Sequence, residues 1–165
     1  KGSRRKQSEY SVALAEKQKL RYQYGLLERQ FRRYFQTALT RRGVTGEILL
    51  QLLETRLDNV VFRLGFANSR NAARQMVSHG HVSVNGRKVD VSSFNVRAGD
   101  TVTIKDKPGS RRLAAKNVEL TQIAPVPDWL VADKDNFTGT VSRIPTRAEI
   151  APIVNEQLIV ELYSR

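Results

Sequence analysis

Cysteine is absent from all 165 residues, which excludes disulfides, thiolate chemistry and cysteine-held zinc. Histidine occurs only as His79 and His81, on either side of Gly80. Two imidazoles without a thiolate or a nearby carboxylate do not make a metal site, so neither a metal nor a cofactor is expected. No stretch approaches the ~20 apolar residues of a membrane span, and the residues shown open on a basic run instead of a hydrophobic leader. No membrane partner is expected. The GxSxG elbow, the P-loop and GxGxxG are all missing, so an enzyme reading has no positive feature and no residue is nominated as catalytic. Negative charge is also scarce: 16 Asp and Glu stand against 28 Lys and Arg, a net charge of +12.

That excess is unevenly placed. Residues 1–42 hold twelve Lys/Arg against three Asp/Glu, residues 43–112 eleven against six, and residues 113–165 five against seven. A polyanion-binding surface is therefore expected on the N-terminal half, with the C-terminal segment left for protein contacts or solvent. Aromatic residues interleave with the basic ones there, which distinguishes it from a merely solvated basic surface.

Residues 56–104 carry the most information. Leu57, Val60, Val61 and Leu64 fall at helical spacing and Gly65 is placed as a stop, so a short helix is predicted. A second helix should open at Ser69, a good N-cap, and end at Gly80. On it Ala72, Ala73, Met76 and Val77 form a narrow apolar face. Arg70, Arg74 and Ser78 share another, expected to face solvent. Val82 and Val84 then alternate with polar residues up to Asn85-Gly86, a type I′ hairpin pair, and Val89 and Val91 return. Gly99-Asp100 introduces a further strand, TVTI.

Around this unit the pattern is mixed. KGSRRKQSEY reads as a basic arm. A helix is expected from Ser11, a candidate cap, to Tyr24, with Gly25 interrupting. Leu27, Phe31, Tyr34, Phe35 and Ala38 make the next helix amphipathic, closed by Gly43. A third, capped by Thr45, carries Ile48, Leu49, Leu52 and Leu53 and runs on without proline or glycine, which predicts a helical connection. KDKPGSRRLAAKN reads as turn and loop, VELTQIA as a short helix, and DWLVADKD and GTVSRIP as two strands. Residues 155–163 are apolar enough to dock. The fold class is α+β: a helical subdomain plus an inserted module of two short helices on a small antiparallel sheet.

Arg-Leu-Asp-Asn, Asn-Ser-Arg-x-x-Ala-Arg-Gln, His-Val-x-Val-Asn-Gly and Gly-Asp-Thr-Val, in this order, resemble the alpha-L RNA-binding domain. LERQFRRYF and NEQLIVELYSR are similar to segments of the S-four family of small-subunit ribosomal proteins, so the likeness covers nearly the whole chain. It implies a basic helical subdomain over residues 1–46, the RNA-binding domain with its following strands over 47–150, and a segment 151–165 folded back on the helical part. S-four proteins usually carry an N-terminal extension, so a chain starting at Lys1 is expected to be truncated there. The resemblance also implies binding to the 5′ domain of small-subunit rRNA as an early assembly protein, and a place near the mRNA entrance with an influence on decoding accuracy. It implies ribosomal protein S-five as a neighbour and a cytoplasmic or organellar ribosome as the location; no homo-oligomer is expected.

The candidate RNA-binding residues are Arg4, Arg5, Lys6, Lys19, Arg21, Tyr22, Arg29, Arg32, Arg33, Arg41, Arg42, Arg56, Arg63, Asn68, Ser69, Arg70, Arg74, Gln75, Ser78 and His79. Tyr24 is a further stacking candidate beside Tyr22. For Arg56 two roles stay open: RNA contact, or a structural pair with Asp58 or Glu54. Basic side chains on phosphates give affinity and little sequence information, and the wide, shallow minor groove of folded RNA suits basic helices. Two other function classes stand beside this one. The RNA-recognition part of a modifying enzyme or tRNA synthetase would show turnover, and a DNA-compacting protein would bind duplex DNA as tightly as folded RNA.

Overall fold

In the computed structural model, residues 8–150 and 154–164 are described. The chain divides into two compact units, residues 1–50 with 151–165 and residues 51–150.

In the first unit, α1 (Glu9–Tyr24) starts after Ser8, whose Oγ accepts the Ser11 N–H at 3.1 Å. The cap is thus Ser8, three residues ahead of the Ser11 expected, because only a residue outside the helix is free to turn its side chain back onto those N–H groups. Gly25 ends α1 in the left-handed region at φ 68°. α2 (Glu28–Thr40) buries Phe31, Phe35 and Ala38. Leu27, expected to begin that stripe, is 75% exposed. It occupies the extended cap position, and Leu26 goes inside in its place. α7 (Glu156–Tyr163), capped by Asn155, packs on α1. The Tyr163 ring stacks on Phe35 with centroids 4.5 Å apart.

α3 (Thr45–Glu54) passes from the first unit into the second and is not continuous with α4 (Leu57–Arg63). The helical connection expected across residues 48–64 breaks at Arg56, whose backbone is extended at φ −60°, ψ 140°. Arg56 bridges Asn95, and Asn95 Nδ2 donates to Leu52 O at 2.8 Å. The Leu57 N–H donates to Phe94 O at 2.7 Å. A distant strand-like segment thus takes up backbone groups that the helix would have used, which no local pattern records.

α5 (Arg70–Ser78) has Ser69 as its cap, with Oγ accepting the Ala72 N–H at 3.0 Å. β1 (Val82–Val84) turns through Asn85 (φ 52°) and Gly86 (φ 81°) into β2 (Arg87–Lys88). Both turn residues lie in the left-handed region, as a type I′ turn requires. With β3 (Thr101–Ile104), β4 (Leu130–Asp133) and β5 (Thr138–Val141) the strands form one antiparallel sheet in the order β2-β1-β3-β5-β4. Val82 lies opposite Ile104 and Val84 opposite Val102, which keeps one face apolar. That face packs in one cluster with Leu57, Val60, Val61 and Leu64, with Ala73, Met76 and Val77, and with Trp129.

The segment read as loop plus short helix is a single helix, α6 (Pro108–Thr121). Lys107 is extended and Pro108 sits in the first turn, where its missing N–H costs nothing. The inward stripe is Ser110, Ala114 and Asn117. Asn117 Nδ2 donates to Phe66 O at 3.0 Å and Thr121 Oγ1 to Gly65 O at 2.7 Å. Small and polar residues bury this face, so hydrophobic periodicity missed it. Among the described residues no helix is long and apolar enough to cross a membrane.

Candidate nucleic-acid interface

The interface candidates on residues 51–150 grow out of a buried polar network beneath α4 and α5. Asp58 is 2% exposed and its carboxylate accepts four hydrogen bonds. Oδ1 takes Arg56 Nε at 3.1 Å and the Asn59 N–H at 2.7 Å; Oδ2 takes Arg56 Nη2 at 2.9 Å and Arg74 Nε at 3.2 Å. Asn59 is fully buried. It donates to Glu54 O at 2.6 Å and accepts Arg70 Nε on Oδ1 at 2.9 Å. Glu54, also buried, accepts Arg63 Nε at 2.8 Å. The Arg70 guanidinium lies 4.8 Å from the centre of the Phe62 ring. Two carboxylates therefore stand among four guanidinium groups, and the surplus charge is positive.

Two expectations take a definite form here. Arg56 is 1% exposed and forms the structural pair with Asp58, one of the two roles left open for it. Arg70 and Arg74 do not project freely into solvent. Both are half-buried, with Nε turned inward, and 32% of the Arg74 side chain remains exposed. Each guanidinium is thus fixed in orientation before any ligand arrives, which lowers the entropy lost on forming a phosphate contact. Arg63 is anchored the same way, 28% of its side chain exposed.

Along the outer side of α5 the remaining candidates are exposed: Asn68, Ser69, Gln75, Ser78 and His79. Ser69 Oγ also serves as the helix cap, and Ser78 Oγ donates to Gln75 O at 3.2 Å. His79 caps the C-terminal end of α5, its N–H donating to Gln75 O at 2.9 Å. Among the described residues no group of three or more His, Asp or Glu is placed to hold a metal.

In the first unit Arg29, Arg32, Arg33, Arg41 and Arg42 are exposed. Lys19 is exposed too, 3.3 Å from Glu16. Arg21 is half-buried: Nε donates to Gln18 Oε1 at 2.7 Å and Nη1 to Leu26 O at 3.0 Å. Its guanidinium covers the Tyr22 ring at 4.4 Å, and Tyr22 is 67% exposed. Tyr24 is 1% exposed and belongs to the core, which removes it as a stacking platform. Arg4, Arg5 and Lys6 lie outside the described residues.

Asp58 and Glu54 were foreseen only as partners of Arg56, and the bracing role of Asn59 was missed; its signal was its place in Arg-Leu-Asp-Asn.

Residues 55–102 match the S4 domain family, and residues 1–54 match the Ribosomal protein S4/S9 N-terminal domain. The chain is 58% identical over 165 residues, its whole length and 81% of the relative, to Small ribosomal subunit protein uS4 of Akkermansia muciniphila. It is 61% identical over 162 residues to the protein of the same name from Opitutus terrae, covering 98% of the chain and 80% of the relative. The chain belongs to the uS4 family of small ribosomal subunit proteins. Members of this family are structural proteins of the ribosome and not enzymes. The S4 domain match places the buried Asp58–Asn59 bracket and the α5 arginines inside the RNA-binding module of the uS4 family.

Proposed function

We propose that this chain is a structural constituent of the small ribosomal subunit that binds the 5′ domain of small-subunit rRNA directly. The observation that carries the reading is the bracing of Arg70 and Arg74 by Asn59 and Asp58 within the family's RNA-binding module. Arg70, Arg74, Gln75, Ser78 and His79 line the α5 contact. Arg29, Arg32, Arg33, Arg41 and Arg42 add phosphate contacts from the helical unit. Family membership supports the finer parts of the proposal: early entrance into assembly, ribosomal protein S-five as neighbour, a position near the mRNA entrance, an effect on decoding accuracy, and residence on a cytoplasmic ribosome.

The test is binding of the full chain to a folded 5′-domain rRNA fragment. Charge-assisted hydrogen bonds contribute roughly 1.5–3 kcal/mol each. Arg70→Ala with Arg74→Ala should therefore weaken binding by on the order of 100-fold or more. The variant should keep its near-ultraviolet circular dichroism, because Asp58 still holds Arg56. Unchanged rRNA affinity, or equal affinity of the parent for duplex DNA, contradicts the proposal.

A further inference from the structure

Past the C-terminal end of α5 lies a concentration of positive charge that the network beneath α4 and α5 does not use. Lys88, at the end of the edge strand β2, lies over Gly80: a Cβ built there would sit 3.5 Å from Lys88 Cε and 3.6 Å from Nζ. Lys105 leaves β3 with its N–H on His81 O at 2.8 Å, and the Lys107 N–H donates to Lys105 O at 2.8 Å. The hairpin and the β3–α6 connection thus bring three lysines together. The Lys107 charge, then desolvation, then the Lys88 charge hold the Lys105 ammonium below its usual 10.5. Among the described residues none of the three lysines is ion-paired with a carboxylate. Arg111 flanks the group, its Nε on Lys105 O at 3.3 Å and its guanidinium 5.1 Å from the centre of the Phe137 ring.

Like charges gathered without counterions repel one another in the free protein, and a polyanion relieves that repulsion. Beside them stand Gly80, His81 and Arg111, and Asp106, between Lys105 and Lys107 in the chain, is exposed and within 4 Å of none of the three ammonium groups. A protein partner would need an apolar anchor, and none of the side chains just named supplies one. A phosphate backbone needs only charge and access.

We propose that Lys88, Lys105 and Lys107 form a second phosphate-binding surface for folded RNA, adjoining the α5 face. It rests on the reading of this chain as an rRNA-binding protein. The two sites differ in kind. The α5 arginines are anchored to buried partners and fix orientation, whereas the lysines are unanchored point charges that add affinity and salt dependence.

The test compares the full-length parent, the triple variant Lys88→Gln, Lys105→Gln, Lys107→Gln, and the triple Lys→Arg variant on the 5′-domain rRNA fragment across a salt series. Removing one lysine–phosphate pair should lower the slope of log K against log salt by roughly 0.7–0.9, so the Gln variant should fall short of the parent by about 2 to 3 in slope. Its thermal stability should equal or exceed the parent's, since mutual repulsion is removed, and the Arg variant should keep the parent slope. A Gln variant with the parent's slope and affinity, while Arg70→Ala with Arg74→Ala still weakens binding, overturns this surface and leaves the α5 reading standing. A parent that does not bind the fragment at all overturns both.

Discussion

Asp58 and Gly139 are single residues on which whole regions depend. Asp58→Asn would leave the Arg56 guanidinium buried, 2% of its side chain exposed, without its charged partner. Removing one member of a buried pair costs about 3–5 kcal/mol, so urea unfolding should show a loss of that order. Gly139 lies in mid-sheet opposite Val102, and an added Cβ would collide with both Cδ atoms of Leu64. Leu64 is fully buried and has little freedom to yield. Gly139→Ala should therefore cost roughly 1–3 kcal/mol, seen as a lower melting temperature, and a neutral result would mean that the core repacks freely. At this scale the sequence was informative about apolar positions and turn glycines, because their chemistry is local. It could not say which arginines Asp58 holds, since Arg74 lies sixteen positions away and is brought there by the α4–α5 packing.

The docking of α7 depends on the buried Ile159 and on a cluster around the Tyr163 ring and the Glu28 carboxylate. Tyr163 stacks on Phe35 and donates to Glu28 Oε1 at 3.3 Å, and Lys17 donates to the same oxygen at 2.8 Å. Tyr163→Ala should cost about 3 kcal/mol or more through the missing ring. Tyr163→Phe keeps the stack and should cost about 1 kcal/mol. Burial raises the Glu28 pKa, but the Lys17 hydrogen bond and charge, the Tyr163 hydroxyl and Arg21 outweigh it, and the net position is below the usual 4.5. The folded-state value is thus lower than the unfolded one. The stabilisation is present above the unfolded pKa and is lost as pH falls through the folded value. Glu28→Gln should flatten the dependence of melting temperature on pH below about 4.5; an unaltered acid limb would contradict the contact. The amphipathic helices and the strand pair were legible from spacing. α6 was not, since its buried face is Ser110, Ala114 and Asn117, and the stop at Arg56 was not, since residues 94–95 impose it.

For the molecule as a whole, charge and motif order point to RNA, and the two family matches together reach from residue 1 to residue 102. What counting charges could not do was rank them. Folding draws Arg56 into the core, turns Arg21 onto Gln18 and Leu26, and leaves Arg29, Arg32 and Arg33 exposed along α2. In the proposed function, rRNA meets the braced α5 face and the basic surface of α2. Ultraviolet crosslinking of the full chain to small-subunit rRNA, followed by identification of the crosslinked peptides, tests it most directly. Crosslinks are expected within residues 68–79 and 29–42. Crosslinks confined to residues 118–135, where the exposed side chains are chiefly acidic or apolar, would contradict it.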